Sequence, residues 1–171
     1  GETCENTDGF SGQNWSFHIG GTNSAHTNHS ELGEAHGLVY FLGSNEDGTI
    51  ISNNRLDDNI WHHIALVRES NGLFSLFIDG DLNATDTMLL DTDITSGYNI
   101  DIAGNHSGRF LDCNIADLMI TQEALYTNQF TPQYPLVSSE NVLLHYNFDN
   151  SNVIDLSGNG NDGIIYGSPI V

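Results

Sequence analysis

A loop near the C-terminus carries side chains whose oxygen atoms could bind calcium. It reads Asp155-Leu156-Ser157-Gly158-Asn159-Gly160-Asn161-Asp162, and its glycines let the backbone turn carbonyl groups inward. Calcium takes about six to eight oxygen ligands from carboxylates, amides and carbonyls. The same residue types also form Asx turns, in which side chains bond their own backbone. The sequence leaves both interpretations open, and the candidate calcium ligands are Asp155, Asn159 and Asp162.

Asp79 and Asp81 form a second candidate calcium site, together with Asp101, which we expect on a neighbouring strand. Carboxylates that bracket a turn can converge on one cation. The competing interpretation is that Asp79 shapes the Asp-Gly turn by bonding to nearby backbone groups. Calcium is the cofactor that these two groups of residues suggest.

A third group of metal-binding residue types lies in one polar loop and comprises His26, His29, Glu31, Glu34 and His36. Zinc and copper take such ligands, but a structural zinc site needs a tetrahedral set, and no second half accompanies this loop. Asn28 begins a glycosylation sequon, and a glycan there would crowd a metal ion. A solvated loop is the favoured interpretation.

The charge composition excludes nucleic acid as a partner. The 171 residues contain 23 Asp and Glu but only three Lys and Arg together, so the formal net charge is −20 at pH 7. Nucleic-acid phosphates are bound by the opposite charge. Such a surface repels its own copies and attracts cations. No run of about 18 apolar residues occurs, so we expect no membrane-spanning segment.

Cysteines and sequons favour an extracellular location. Cys4 and Cys113 are an even pair, which permits one disulfide between the N-terminal segment and a late strand. Asn-x-Ser/Thr sequons begin at Asn14, Asn28, Asn83 and Asn105. Sequons are glycosylated on the surface loops of secreted proteins. We therefore predict that the protein is secreted or displayed on a surface.

The scaffold for these residues is predicted to be built from short strands around one hairpin. Two runs, 60–68 and 73–80, flank Glu69-Ser70-Asn71-Gly72, and Asn-Gly is a strong signal for a two-residue hairpin turn. Both faces of the first run are partly apolar, so we expect this strand to be covered on both sides. A hairpin cannot bury itself alone, so other strands must form a second layer.

Further strands are predicted at 15–19, 37–43, 49–52, 87–90, 98–103, 109–121, 142–148 and 163–167, and one short helical turn at 122–128. Strands repeated at roughly ten-residue spacing with turns between them are typical of an all-β, antiparallel β-sandwich or jelly roll. We predict this fold class.

Three segments resemble the laminin-G-like or concanavalin A-like lectin/glucanase jelly rolls. Residues 61–80 (WHHIALVRESNGLFSLFIDG) resemble the family's central hairpin, and residues 110–135 are similar to its late strand and the segment after it. Residues 143–166 (LLHYNFDNSNVIDLSGNGNDGIIY) resemble its opening strand and the loop that follows. The resemblance implies a concanavalin A-like sandwich of the kind found in bacterial surface proteins and in virion or tail proteins.

The opening strand of the family comes last in this chain. We therefore divide the chain into a body, 1–139, and a C-terminal part, 140–171. Three explanations are open: a permuted domain that closes on itself, a tandem array whose next repeat begins near Asn141, and a strand donated to a neighbouring copy. Donation would complete the neighbour's sheet and extend a filament. The residues of that assembly strand would be Leu143, Leu144, Tyr146 and Phe148.

The resemblance implies a binding or structural module. The fold also hosts glucanases, but retaining hydrolysis needs two carboxyls about 5 Å apart, and no strand carries acids at the matching spacing. We predict a non-enzymatic extracellular module that assembles with copies of itself and is stabilised by calcium. The alternatives are a monomeric lectin that binds glycans and, third, a glycoside hydrolase. The aromatic side chains considered for stacking on a sugar are Trp15, Tyr40, Tyr98 and Tyr126.

Overall fold

The computed structural model describes residues 16–19, 39–42, 49–87, 100–102, 113–149 and 152–167. Within these ranges the chain forms strands and no helix, which confirms the predicted all-β class. The strands are β1 (Ser16–Ile19), β2 (Val39–Leu42), β3 (Thr49–Ile51), β4 (Ile64–Arg68), β5 (Leu73–Ile78), β6 (Asp81–Thr87), β7 (Leu118–Thr121) and β8 (Val142–Tyr146). They form antiparallel sheets in the orders β1-β2-β3, β4-β5-β6 and β7-β8.

The predicted central hairpin is present as β4 and β5. Leu66 pairs with Leu76, and the turn closes where Glu69 N donates to Leu73 O at 2.8 Å. β4 begins at Ile64 rather than at residue 60, because the N–H of His63 donates to a side-chain oxygen of Asp79 instead of continuing the ladder. The residues just before β4 are therefore available for a site instead of belonging to the sheet.

β6 is a strand that the sequence does not predict, because Asp81–Thr87 is rich in polar residues and alternates weakly. It pairs with β5 and forms one edge of the hairpin sheet, and its residues are exposed or half-buried. The predicted strand at 87–90 overlaps it at Thr87, and the rest of that range lies outside the described residues.

The main core lies between the hairpin sheet and β3. It is built from buried side chains of β3 and β5, against which partly buried side chains pack; the members are Ile50, Phe74, Leu76 and Ile78, with Leu56, Ile64, Leu66 and Ala84 around them. Phe77, on the opposite face of β5, is also buried and meets Phe130 with ring centroids 5.6 Å apart. The hairpin is therefore covered on both faces, as its two apolar faces predict.

The C-terminal strand pairs within its own chain. Leu118 of β7 faces Tyr146 of β8, and Ile120 faces Leu144. Val142, Leu144 and Tyr146 are buried, whereas Leu143 points to the exposed side. The three explanations for the position of the C-terminal part stay predictions.

Several predicted elements are wrong. Residues 122–128 form bends, because Tyr126 stacks on Phe130 across a non-helical segment. Residues 163–167 form no strand despite their β-branched and aromatic side chains, since β propensity reflects fit to a pleated, half-buried surface, and Ile164 and Tyr166 are exposed. Of the described residues in 98–103 and 109–121, only Leu118–Thr121 is strand.

Candidate functional site

The loop before β4 and the turn after β5 meet at His62. Because Ile64 pairs with Ile78, the residues just before β4 lie beside those just after β5. His62 Nδ1 lies 2.8 Å from Asp79 Oδ2, and its Nε2 lies 3.1 Å from Asp58 Oδ1. One imidazole therefore bridges two carboxylates and ties the loop to the turn.

Asp79 is held in place by the backbone as well as by His62. Its φ of +54° places it in the left-handed region, and its Oδ1 accepts the N–H of His63 at 2.9 Å. Its own N–H donates to His63 O at 2.8 Å. The side chain nevertheless remains 50% exposed, and that of Asp58 remains 48% exposed. Each carboxylate oxygen can accept more than one hydrogen bond, so both groups can still receive hydrogen bonds from a ligand.

The turn is anchored on its other side by the segment that leads to Pro132. Phe130 N donates to Gly80 O at 3.0 Å, and Gln129 Nε2 donates to Asp81 Oδ1. A Cβ on Gly80 would lie 1.9 Å from Phe130 O, so only glycine fits there. Asp81 and Gln129 therefore stand next to Asp79 on the same exposed surface.

Below this surface lies an aromatic cluster. Tyr126 stacks on Phe130 with centroids 3.6 Å apart, and His63 meets the two rings edge-on at 6.0 and 5.4 Å. His63 Nδ1 is buried and has no hydrogen-bond partner. His63 thus belongs to the packing, whereas its neighbour His62 belongs to the polar surface.

The two histidines titrate in opposite directions. The hydrogen bond to Asp79 raises the pKa of His62, burial opposes this effect, and Asp58 adds to it. The pKa of Asp58 is lowered, chiefly by its hydrogen bond to His62 and then by the N–H of Ile60. Burial lowers the pKa of His63, and the charge of Asp79 opposes that shift only in part. The contacts with Asp79 and Asp58 therefore favour the protonated form of the His62 imidazole, whereas burial favours the neutral form of His63.

Trp61 gives this surface an aromatic platform. The side chain is 66% exposed, and Ile60 beside it is exposed to the same degree. We define the Trp61 rim as six residues of this loop, the turn and the neighbouring segment: Asp58, Trp61, His62, Asp79, Asp81 and Gln129. An exposed indole can stack on the apolar face of a sugar ring, and carboxylate and amide oxygens can accept hydrogen bonds from the hydroxyls of a sugar.

The structure also brings together the side chains of the predicted calcium loop, but their oxygens accept hydrogen bonds from backbone N–H groups of the same chain. Asp155 is buried, its Oδ1 accepts the N–H groups of His145 (3.1 Å) and Ser157 (3.0 Å), and its Oδ2 accepts that of Asn161 (3.0 Å). Asp162 Oδ1 accepts the N–H of Asp155 at 2.8 Å. Burial would raise the pKa of Asp155, but the bonds from Ser157, Asn161 and His145 lower it to about 2.

The amides of the same loop cover the outer edge of β8. Asn159 Nδ2 donates to Val142 O at 2.9 Å and to Leu143 O at 3.1 Å, and Asn161 Nδ2 also donates to Leu143 O at 3.1 Å. Leu156 N donates to His145 O at 2.8 Å. An uncovered strand edge is a template for pairing with another chain. The loop therefore acts as a cap on β8. Its side chains bond to backbone groups, as in the Asx-turn interpretation, but these groups belong to β8 as well as to the loop itself.

The described part of the chain holds no group of three or more His, Cys, Asp or Glu side chains arranged for a metal ion. Asp79 and Asp81 have separate partners, and Asp101 is exposed. Calcium at either candidate site stays a prediction. The loop of His26, His29, Glu31, Glu34 and His36 lies outside the described residues.

The other predicted sites are only partly covered by the structure. Cys113 is exposed, and Cys4 lies outside the described residues, so the disulfide stays a prediction. Asn83 is half-buried on β6, where its Oδ1 accepts the N–H of Asn53 at 2.7 Å. The sequons at Asn14, Asn28 and Asn105 lie outside the described ranges. Among those ranges we find no helix with the length and hydrophobicity to cross a bilayer.

Of the aromatic residues considered for sugar stacking, Tyr126 has one ring face occupied by Phe130. Trp15 and Tyr98 lie outside the described residues, and for Tyr40 only the backbone is described. Trp61 is absent from that set, because a strand beginning at residue 60 would bury it. The available signal was Asp58-Asn59, which is separated from Trp61 only by Ile60: Asn59 adopts a φ of +64°, and turn residues at this point indicate that the strand starts later.

The chain was compared with protein families, curated proteins and solved structures. A family model of laminin-G type, described as concanavalin A-like lectin/glucanases superfamily, matches residues 6–129. The searches of curated proteins and of solved structures returned no match. Members of this family are mostly non-enzymatic and lectin-like. Because the match covers more than half of the chain, the protein belongs to the concanavalin A-like lectin/glucanase superfamily, and it is a module of the carbohydrate-binding or adhesive kind.

Proposed function

We propose that the protein is an extracellular glycan-binding module whose ligand site is the Trp61 rim. The observation that carries this proposal is the exposure of Trp61, which directly precedes His62 in the chain, together with the half-exposed carboxylates of Asp58 and Asp79 that His62 contacts. Tryptophan and tyrosine are enriched at interfaces because they combine a large apolar surface with a polar group, and exposed apolar surface rimmed by polar residues is typical of binding sites.

The rim is preorganised for binding. His62 fixes Asp58 and Asp79, and Gln129 fixes Asp81, so these acceptors are already oriented before a ligand arrives. Fixed groups lose little conformational entropy on binding, which favours affinity. The loop-to-turn connection through His62 thus supports a site rather than a mobile surface.

Charge selects the class of glycan. The rim contains three carboxylates, and the whole chain carries a net charge of −20. Uronic, sialylated and sulfated glycans would be repelled, whereas neutral sugars can donate their hydroxyls to the carboxylates. We therefore propose neutral oligosaccharides as the ligands.

A glycan array probed with the labelled chain tests this function. We expect binding to neutral oligosaccharides and not to sialylated or sulfated ones. For each binder, titration with Trp61→Ala should give a dissociation constant at least about tenfold weaker, as for other central aromatic anchors. Tyr166→Ala is the matched control, since Tyr166 is an exposed aromatic outside the rim. An array without binding, or equal affinities of wild type and Trp61→Ala, would refute the proposal.

A second candidate function is assembly with copies of the chain. It is favoured by an open groove of about 590 Å³ whose lining includes Ile154, Ile164 and Ile165, and by the exposure of Ile164 (75%) and Tyr166 (84%) nearby. Exposed apolar patches mark association surfaces. The edge of β8 is capped, so we propose that assembly would use this apolar face rather than the edge of β8.

Size-exclusion chromatography of the full chain, with light scattering to measure its mass, tests assembly. Because copies with a charge of −20 repel each other, oligomers should appear as salt rises from low to physiological ionic strength. Ile164→Ser should remain monomeric at both. A wild-type protein that stays monomeric at all salt and protein concentrations would refute assembly and leave the glycan proposal intact.

Thermal unfolding with calcium or with a chelator tests calcium stabilisation in the same samples.

A further inference from the structure

A serine, a histidine and an aspartate form a hydrogen-bonded network next to strands β7 and β8, outside the Trp61 rim. Ser138 Oγ lies 2.6 Å from His145 Nδ1, and His145 Nε2 lies 2.7 Å from Asp117 Oδ1. Asp117 Oδ2 accepts the N–H of Leu136 at 2.8 Å. Both distances fall in the range in which a nucleophile, a base and an orienting acid act together.

The partners fix the tautomer of His145. A carboxylate oxygen of Asp117 accepts hydrogen bonds, so the proton on the imidazole lies at Nε2 and points to Asp117. Nδ1 then carries the free lone pair, and the hydroxyl of Ser138 donates to it. This is the arrangement that a serine needs to lose its proton during attack on a carbonyl group.

The three side chains differ in their exposure in the way that such chemistry requires. The side chains of His145 and Asp117 are only 5% and 6% exposed, so water does not compete for their bond. Ser138 is exposed, and Val137 and Tyr134 beside it leave apolar surface in solvent. A small ester can therefore reach the hydroxyl and contact apolar atoms next to it.

We propose that Ser138 is a nucleophile that accepts an acyl group from a carboxylic ester, with His145 as its base and Asp117 as a positioning residue. Ser138 Oγ forms a bond to the ester carbonyl carbon while its proton moves to His145 Nδ1. The tetrahedral intermediate then breaks its bond to the alcohol, which leaves with that proton, and acyl-Ser138 remains. Water attacks the acyl group by the same route, which releases the carboxylic acid and restores the serine.

The proposal does not depend on glycan binding at the Trp61 rim. Asp117 immediately precedes β7, His145 lies on β8, and Ser138 lies on the segment leading to β8. The sequence gives no sign of the group, because these residues match no motif of fixed spacing. Only the pairing of β7 with β8, in which Met119 faces His145, brings the aspartate and the histidine together.

Covalent labelling of the full chain tests the proposal. The folded protein is incubated with p-nitrophenyl acetate or with an alkyl fluorophosphonate, and modified residues are identified by mass spectrometry of peptides. We expect modification at Ser138 and its loss in Ser138→Ala. Ser139→Ala is the matched control, since Ser139 is the exposed neighbour of Ser138 and its substitution should leave the labelling unchanged.

Asp117→Asn tests the positioning role in a folded variant, checked by circular dichroism. The labelling rate of Ser138 should fall at least about tenfold, within the range for general-base catalysis. In addition, ¹⁵N NMR of His145 should show the Nε2–H tautomer in wild type and lose it in the variant, which tests the hydrogen bond from Nε2 to Asp117. Absence of labelling at Ser138 in the folded wild type, or equal labelling of Ser138 and Ser139, would overturn the proposal.

Discussion

The Asp155 loop and the Trp61 rim use the same residue types for opposite purposes. Both combine aspartates with glycines of positive φ in tight turns. In the loop, the carboxylate of Asp155 is saturated by backbone N–H groups of its own chain, and the neighbouring amides cover β8. In the rim, the carboxylates of Asp58 and Asp79 remain half exposed, and Trp61 is also exposed to solvent.

This difference shows that partners, rather than residue types, separate a structural turn from a binding surface. A buried carboxylate that accepts several N–H groups has little capacity left for a ligand, and removing it destabilises the fold. A half-exposed carboxylate that contacts one imidazole and accepts one backbone N–H, as Asp58 and Asp79 do, keeps spare lone pairs. We therefore expect substitutions in the Asp155 loop to change stability, and substitutions at the surface of the rim to change binding.

The largest effect is expected from Gly80→Ala. Gly80 has a φ of +87°, and a Cβ there would lie 1.9 Å from a backbone oxygen. Combined backbone strain and overlap should cost at least about 3 kcal/mol in the free energy of unfolding, measured with urea. Gly158→Ala is the matched control: its φ is +82°, nothing lies within 4 Å, and it should cost roughly 1–2 kcal/mol. Equal costs would show that the turn under the rim is not tightly packed.

Asp155→Ala should lower the free energy of unfolding by about 3 kcal/mol, because three backbone N–H groups lose their acceptor. Asp149→Ala, at an exposed position, is the control and should change it by less than about 0.5 kcal/mol. Glycan affinity of the folded fraction should be unchanged. Weaker glycan binding without loss of stability would reverse the roles assigned to the loop and the rim.

Acid unfolding sharpens the same comparison. The pKa of Asp155 is lowered to about 2 from an ordinary value near 3.8. Its ionised form therefore stabilises the fold above about pH 4, and this contribution is lost as the pH falls through about 2. Urea unfolding of Asp155→Asn, compared with wild type between pH 5 and pH 2, should show a flatter dependence on pH. Parallel curves would contradict the lowered pKa.

His62 and His63 should titrate on opposite sides of the ordinary imidazole value of about 6.5. The pKa of His62 is raised, so its stabilising contribution is present below about 6.5 and is lost as the pH rises through the raised value. The pKa of His63 is lowered by burial, so its contribution is lost as the pH falls below about 6.5. NMR titration of the imidazole resonances measures both. Asp79→Asn should lower the pKa of His62 markedly, and no change would contradict the bridge.

The sequence predicted the scaffold better than the site. The hairpin and the C-terminal strand are visible in the sequence because apolar alternation and Asn71-Gly72 are local signals. β6 has no such signal, since its place in the sheet depends on pairing with β5 rather than on its own polar residues. Residues 163–167 are the reverse case: their side chains have strong β propensity, but they form no strand.

The rim depends on contacts between distant residues. His62 and Asp79 are separated in sequence by the whole hairpin, and their bond exists only because the strands between them pair in one register. Asp155 and Asp162 of the predicted calcium loop are hydrogen-bonded to each other, but the sequence alone does not show whether their oxygens face a cation or the backbone. That distinction follows from the position of β8, which supplies both the N–H group of His145 and the carbonyl groups that the loop binds.

The most direct test of the central claim measures binding and unfolding together on Trp61→Ala and Asp155→Asn. Isothermal titration with a neutral oligosaccharide selected on the array gives affinity, and urea unfolding gives stability. We expect Trp61→Ala to lose at least about tenfold in affinity with a change in stability below about 0.5 kcal/mol, and Asp155→Asn to lose stability with unchanged affinity. Unchanged affinity in Trp61→Ala, or lost affinity in a folded Asp155→Asn, would contradict the assignment of the rim as the ligand site.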